Sequence, residues 1–297
     1  MKRIVLLWCC MLLLLAGTLA LSILWGAQAW EYAEYEHEYA EIRKAVIPVN
    51  PARMNSQREA PCEQTAHEQP VSEDDNNDNT QLPEAPSKKE YAEIKSETDQ
   101  AQNQREYVDF AELSSQNPDT VGWLYIPDTK VDYPVVQAAD NEWYLDRNFK
   151  GKQASCGTIF MDYQNSNDPL DRNTILYGHN MSGSSSLMFS SLTRYKKPGY
   201  FQAHPILQFD TPSQPGRWQV FAVCHLSTET IKEKGLLRQD FVSEDEFAAY
   251  AATLQSLALY DTGVTVPASS KTFTLVTCDR TGGYGADGRL LVVAVLI

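Results

Sequence analysis

The chain offers little to a metal site or a disulfide framework. Its six cysteines among 297 residues form no CxxC pair, and none stands with histidine at zinc spacing. Cys9 and Cys10 lie inside an apolar run, where cysteine behaves as a small hydrophobe. Cys62 sits in a polar stretch, and Cys156, Cys224 and Cys278 are scattered. No metal and no cofactor is expected. Positive charge is also scarce: 25 Lys and Arg face 39 Asp and Glu, a formal net charge of −14. Nucleic-acid binding needs a basic patch, and there is none to read. Repeat architecture is missing too, since "EYAEI" at Glu38 and again at Glu90 is one short recurrence.

What is present begins with a long apolar run. Ile4 to Trp25 carries no charge, follows Lys2 and Arg3, and precedes an acidic flank. About 20 apolar residues span a bilayer as a helix, and the basic side stays in the cytoplasm. The expectation is a single-pass membrane anchor over 1–29 with the rest of the chain outside the cell. The alternative is a signal peptide cut near "AQA" at Ala27 to Ala29, although the run exceeds a usual signal core.

Residues 30–105 read as an acidic stalk and disordered tether, which holds most of the excess negative charge. Its first part places Tyr32, Tyr35, Tyr39, Ile42 and Val46 at 3,4-spacing, one stripe on a helix. Two heptads are too few for a coiled coil, so the reading is a spacer helix. From Pro48 to about Gln104 the chain is too polar to build a core. A tether of this kind is dispensable for folding and chemistry.

Composition turns globular over 106–297. A helical start, "YVDFAELSSQNPD", gives way to eight short apolar runs broken by turn residues: "VGWLYI", "VDYPVVQ", "GTIFMD", "NTILYGHN", "PILQFD", "RWQVFAVCHLS", "TFTLVTC" and "RLLVVAVLI". Strands this closely spaced point to a mainly β barrel or sandwich. Within the long connection after Ser227, Ser243 and Glu246 stand in capping-box relation. Phe247, Tyr250, Leu254 and Leu257 then share one helical face, so a helix precedes the "TFTLVTC" strand.

A cysteine outside the membrane and without a partner is a candidate nucleophile. Cys278 ends one strand and Arg289 opens the next. Antiparallel pairing of the two would bring thiol and guanidinium to the same sheet end. Nucleophilic chemistry at a carbonyl needs a thiolate, an acid or base for the leaving group, and a donor for the oxyanion. Arg280 rivals Arg289 for the last role, because side chains two apart on a strand share a face. For the acid and base, His179 ends "NTILYGHN" where a strand leaves the sheet, whereas His204 sits in a loop and His225 within a strand.

These residues resemble a class B sortase, a membrane-anchored cysteine transpeptidase of Gram-positive bacteria. "LVTCD" followed by "RLLVVA" is similar to the family's nucleophile strand and downstream arginine. "NTILYGHNM" with "LMFSSLTRY" resembles the class B histidine segment, and "NPDTVGWLYIPDTKVDYPVVQAADNEWYL" the start of its domain. The resemblance covers Tyr107 to Ile297 and implies an eight-stranded β-barrel with N-terminal helices. It implies Cys278 as nucleophile, His179 as acid and base, and Arg289 rather than Arg280 as oxyanion donor. Asn141, Tyr177 and Thr277 match positions near the substrate groove. Val276 departs from the pattern, since class B members often have serine there. The implied reaction cuts a sorting motif near the C-terminus of a secreted protein through a thioacyl-enzyme. It then joins that protein to an amine of a peptidoglycan precursor or a pilin. An L,D-type cysteine transpeptidase and a wall-peptide-binding barrel with an idle Cys278 are the alternatives.

Overall fold

The computed structural model describes residues 2–47, 108–181 and 185–297, without the side chains of residues 2–10, 12, 13 and 15. Cys62 and the tether from 48 onward lie outside the described residues, as do the side chains of Cys9 and Cys10.

All eight apolar runs become strands: β1 (Thr120–Tyr125), β2 (Asp132–Val136), β3 (Phe160–Met161), β4 (Asn173–Tyr177), β5 (Ile206–Asp210), β6 (Arg217–Ser227), β7 (Thr272–Cys278) and β8 (Gly288–Leu296). They close into a barrel in the order β1-β2-β3-β4-β7-β8-β6-β5, which decides the open choice against a sandwich. Two pairings are parallel, β2 with β3 and β4 with β7; the others are antiparallel. A parallel partner requires a crossover rather than a hairpin. The β4–β7 pair therefore encloses β5, β6 and every helix between them.

Trp123, Trp218, Phe209 and Phe273 are almost fully buried, and Phe273 stacks on both Phe209 and Trp218. Apart from the half-buried Cys278 at its end, β7 is buried along its whole length, so its outward threonines need partners. The Asn173 side-chain oxygen of β4 supplies them, accepting from Thr272 at 3.1 Å and Thr274 at 2.8 Å. Polar residues can thus occupy a strand that is covered on both faces.

Helix α2 (Phe110–Gln116) leads into the barrel, α3 (Pro198–Ala203) precedes β5, and α4 (Thr228–Glu233) and α5 (Glu244–Leu257) fill the connection from β6 to β7. The N-cap of α5 is Ser243, whose hydroxyl accepts from the Glu246 amide. Glu246 reaches back to the Val242 amide rather than to Ser243, so only half of the capping box forms. Helix α4 has no counterpart in the sequence reading. Its six residues are too few for a periodic signal.

Helix α1 (Lys2–Val46) runs through the boundary expected at 29/30. Tyr35, Tyr39, Ile42 and Val46 are buried, with Tyr39 edge-on to Tyr133 of β2 at 5.1 Å. Polar contacts fix the register of this face. Asn148 Nδ2 donates to Glu38 at 2.7 Å, Arg43 to the Asp132 carbonyl at 3.0 Å, and the Asp109 amide to the Val46 carbonyl at 2.8 Å. The tyrosine stripe is thus helical as expected, but it covers the barrel instead of serving as a spacer. Among the described residues, no helix is long and apolar enough to cross a membrane. The leading side chains of the expected anchor lie outside that description.

Candidate active site

The site grows from the parallel β4–β7 pair. Its register sets Tyr177 beside Val276, so both strands leave the sheet at the same edge. Hydrogen bonds continue past the strand ends. The Gly178 amide donates to the Val276 carbonyl at 3.2 Å, Thr277 Oγ1 to the Gly178 carbonyl at 2.7 Å, and Asn180 Nδ2 to the Cys278 carbonyl at 2.9 Å. His179 is held between these rungs and next to the Cys278 strand end. Gly178 is required by close approach, because a Cβ there would lie 2.7 Å from the Phe189 ring.

On its other side β7 pairs with β8 in antiparallel register, with Cys278 directly opposite Arg289. This is the juxtaposition the sequence suggested. Cys278, His179 and Arg289 line one cavity of about 620 Å³, together with Asn141, Tyr177 and Thr277. All six residues singled out from the sequence meet there. Arg280 does not line it and is exposed. The strand ends at Cys278, so the rule that places residues two apart on one face no longer holds at Arg280.

Each side chain has an identifiable support. His179 Nε2 lies 2.7 Å from the Leu145 carbonyl. A carbonyl only accepts, so Nε2 carries the hydrogen and Nδ1 is the basic nitrogen of the neutral ring. Arg289 Nη1 donates to the Ala286 and Gly288 carbonyls, both at 2.9 Å, and forms no ion pair among the described residues. That tethers one edge of the fork while its charge stays uncompensated by a carboxylate.

The three described cysteines of the barrel differ sharply. Cys156 and Cys224 are buried, and burial pushes each thiol up to about 12. Both stay neutral at physiological pH, which makes them poor nucleophiles. Cys278 is the partly exposed one. His225 Nε2 donates to the Asp279 carbonyl at 3.1 Å and His204 Nδ1 to the Pro127 carbonyl at 3.1 Å, so both are satisfied structurally.

The sequence reading missed Asp162. This buried carboxylate accepts from Tyr177 at 2.9 Å, Asn141 at 3.0 Å and the Gln164 amide at 2.9 Å. Burial raises the Tyr177 phenol, and the neighbouring Asp162 raises it further, so it stays a protonated donor. Asp162 is not itself part of the lining; it holds two residues that are. Its only trace in the sequence is a single acidic residue after an apolar strand. Thr277, expected near substrate, commits its hydroxyl to Gly178 and so ties the two strands together. The far wall comes from α4 and the turn after it, with Ile231, Lys232 and Leu237.

Asp279, next to the nucleophile candidate, anchors the β7–β8 connection. It pairs with Lys196 at 2.5 Å and accepts from Thr281 Oγ1 at 2.7 Å. Burial raises its carboxyl, but the Lys196 and Thr281 hydrogen bonds outweigh that and hold it below the ordinary range. A Cβ at Gly288 would lie 2.0 Å from the Asp279 carbonyl, so glycine is required where this connection rejoins β8.

Residues 124–297 match the family model described as Sortase domain. Over 186 residues the chain is 35% identical to the Sortase B of Listeria monocytogenes, spanning 63% of this chain and 73% of that protein. The Staphylococcus aureus sortase B-substrate complex superposes with a TM-score of 0.58 at 30% identity, covering 64% of this chain and 84% of that one. A Bacillus anthracis protein similar to sortase B gives 0.57 at 38% identity, with 64% and 83% covered. With a three-residue constellation at one barrel edge and a family match over more than half its length, the chain belongs to the sortase family as a class B cysteine transpeptidase.

Proposed function

We propose that Cys278 attacks the threonine carbonyl of a sorting motif near the C-terminus of a secreted protein. The observation that carries this reading is the direct pairing of Cys278 with Arg289 across β7 and β8, with His179 just past the end of the adjoining parallel strand β4. Neutral His179 takes the Cys278 thiol proton at Nδ1 as sulfur bonds to the carbonyl carbon, and Arg289 donates to the oxyanion. The C–N bond then breaks, and imidazolium His179 gives its Nδ1 proton to the departing amine, Nε2 being occupied at Leu145. The product is a thioacyl-enzyme. An amine of a peptidoglycan precursor or a pilin attacks it, its proton passes to His179, and the Cys278 thiolate leaves. Asn141, Tyr177 and Thr277 frame the peptide site.

The membrane placement belongs to the same proposal. Leu14, Leu19, Leu21, Ile23, Leu24, Trp25 and Trp30 are exposed along α1, an apolar surface with nothing in the described chain to cover it. A bilayer would cover it and leave the barrel outside the cell. The barrel chemistry is tested by covalent trapping with a peptidyl chloromethyl ketone read by mass spectrometry. A label on Cys278, abolished by Cys278→Ala, supports the enzyme. An unlabelled Cys278 in folded protein favours the binding-only barrel.

A further inference from the structure

Helix α1 sets how far the barrel stands from whatever covers its apolar half. Leu19, Leu21, Ile23, Leu24, Trp25 and Trp30 are exposed along it, and docking on the barrel starts directly after them. Glu31 accepts from Tyr35 at 2.8 Å and from the Ser155 amide at 3.4 Å, so the loop 146–157 stands beside the first turn past Trp30. The residues between Val46 and Asp109 add no height. The Asp109 amide donates to the Val46 carbonyl at 2.8 Å, so the chain leaves and returns at one place. With about 1.5 Å of rise per residue, Glu31 lies roughly 9 Å along the axis from Trp25, and a headgroup layer is roughly 5–8 Å thick on each side of a bilayer. A bilayer whose hydrocarbon ends near Trp25 therefore brings its headgroups to this loop.

The side chains there suit that position. Trp143 and Leu145, just before the loop, are 47% and 41% exposed, and the Arg147 guanidinium lies 3.9 Å over the Trp143 ring. Tryptophan is enriched at the boundary between bilayer and water, and basic side chains beside it meet the phosphates. Contacts join this pair to the start of the docked helix face. Asp146 accepts from Arg147 at 2.7 Å and Gln153 at 3.0 Å, and the Ala154 amide donates to the Asp146 carbonyl at 2.8 Å, one residue from Ser155. Asp146 and Glu31 are thus occupied, whereas Lys150 and Lys152 are exposed and form no ion pair among the described residues. Exposed Glu34, Glu36 and Glu142 dilute the positive charge. A ring with individual phosphate contacts, rather than net attraction to an anionic surface, is what the loop offers.

We propose that Trp143 and the loop 146–157 form an interfacial contact with the phospholipid headgroup layer, which holds the barrel directly on the bilayer surface. The contact presupposes the membrane placement of α1 proposed above. Leu145 lines the cavity of Cys278, and its carbonyl accepts from His179 Nε2 at 2.7 Å, so one rim of that cavity stands at headgroup level. The mouth of the site is thereby fixed in height rather than free to swing on a stalk.

The test places the full chain in phosphatidylcholine nanodiscs with and without a headgroup-nitroxide phosphatidylcholine. Trp8, Trp25 and Trp30 are first changed to Phe, which leaves Trp123, Trp143 and Trp218 as the emitters. A ring seated about 5–10 Å into the headgroup boundary meets the nitroxide, so Trp143 should lose about half of its emission. Trp123 and Trp218 are 0% and 1% exposed, so the same chain with Trp143→Phe should keep its emission. Lys150→Glu with Lys152→Glu should weaken the quenching of Trp143 by about twofold, while iodoacetamide still alkylates Cys278 at the native rate. Trp143 emission untouched by the nitroxide, in protein that co-elutes with the discs, overturns the contact and leaves the membrane placement standing. Quenching unaltered by the charge reversal overturns the part assigned to the cations. Protein that elutes apart from the discs sinks the membrane placement itself, and the contact with it.

Discussion

Removing residues 30–46 should cost the barrel much of its stability, contrary to the expectation that everything before Gln104 is expendable. Tyr35, Tyr39, Ile42 and Val46 are 8%, 1%, 2% and 0% exposed. Burial of a large apolar side chain contributes about 1.5–3 kcal/mol, so the four together give roughly 6–12 kcal/mol as an upper bound. Ordering the helix offsets a good part of that. If a third survives, the net loss is about 2–4 kcal/mol, a large share of the 5–15 kcal/mol typical of a domain. At about 2–4 °C per kcal/mol for a barrel of this size, the midpoint should fall by roughly 5–15 °C. The assay compares a chain beginning at Trp30 with one beginning at Gln104, both without the apolar run, by thermal melting followed in circular dichroism. Tyr39→Ala in the longer chain should reproduce most or all of that loss, because emptying a buried aromatic site costs about 3–5 kcal/mol and undocking of the helix caps the penalty. If the Gln104 chain melts within about two degrees of the Trp30 chain, the helix face contributes nothing and the docking argument is wrong.

Arg289→Ala should lower turnover by about 10²–10³ with little change in peptide binding, whereas exposed Arg280→Ala should cost less than about tenfold. The reverse ranking, in variants that melt like the parent, would show that the wrong arginine has been assigned. Asp162→Ala strips Tyr177 and Asn141 of a shared acceptor and should reduce kcat/KM for peptide by about tenfold, from a penalty of 1–3 kcal/mol for unpaired buried donors. Alkylation of Cys278 should keep its native rate, and a thiol slowed in parallel would mean that the whole site had collapsed. Asp279, with its carboxyl held low in the fold, stabilises the protein above the unfolded carboxyl value of about 3.9. That contribution disappears as pH falls through the lower folded value, so Asp279→Asn should lower stability at pH 7 and flatten the acid limb of a stability profile. An unchanged acid limb would remove the Lys196 pair from the account.

The eight strands were legible because each is a short apolar run between turn residues, a signal that needs no long-range information. Likewise Ser243 and the Phe247, Tyr250 and Leu254 face declared a helix locally. What could not be read was which surface an element covers. The stripe from Tyr35 to Val46 shows that one face is apolar, but the sequence carries no sign that Tyr133 of β2 lies against it. Asp162 was illegible for the same reason. Its partners come from positions 141, 164 and 177, and only the closed barrel brings them to one carboxylate.

The site was more readable than its supports because its residues stand at strand ends, and strand ends are visible in sequence. Nothing in residue type distinguishes Cys278 from Cys224. Cys224 lies within β6, surrounded by core, and burial keeps it a thiol. Cys278 is the last residue of a strand whose neighbours also stop or start there: β4 delivers His179 just past Tyr177, and β8 begins one residue before Arg289. Parallel pairing on one side and antiparallel pairing on the other are both needed for three such ends to meet. A slip of β8 by one residue would set Leu290 opposite the sulfur and turn Arg289 to the other face of the sheet. The Gly288 backbone packed against Asp279, which leaves no room for a side chain, holds that register. The proposed chemistry therefore depends on the register that Gly288 holds.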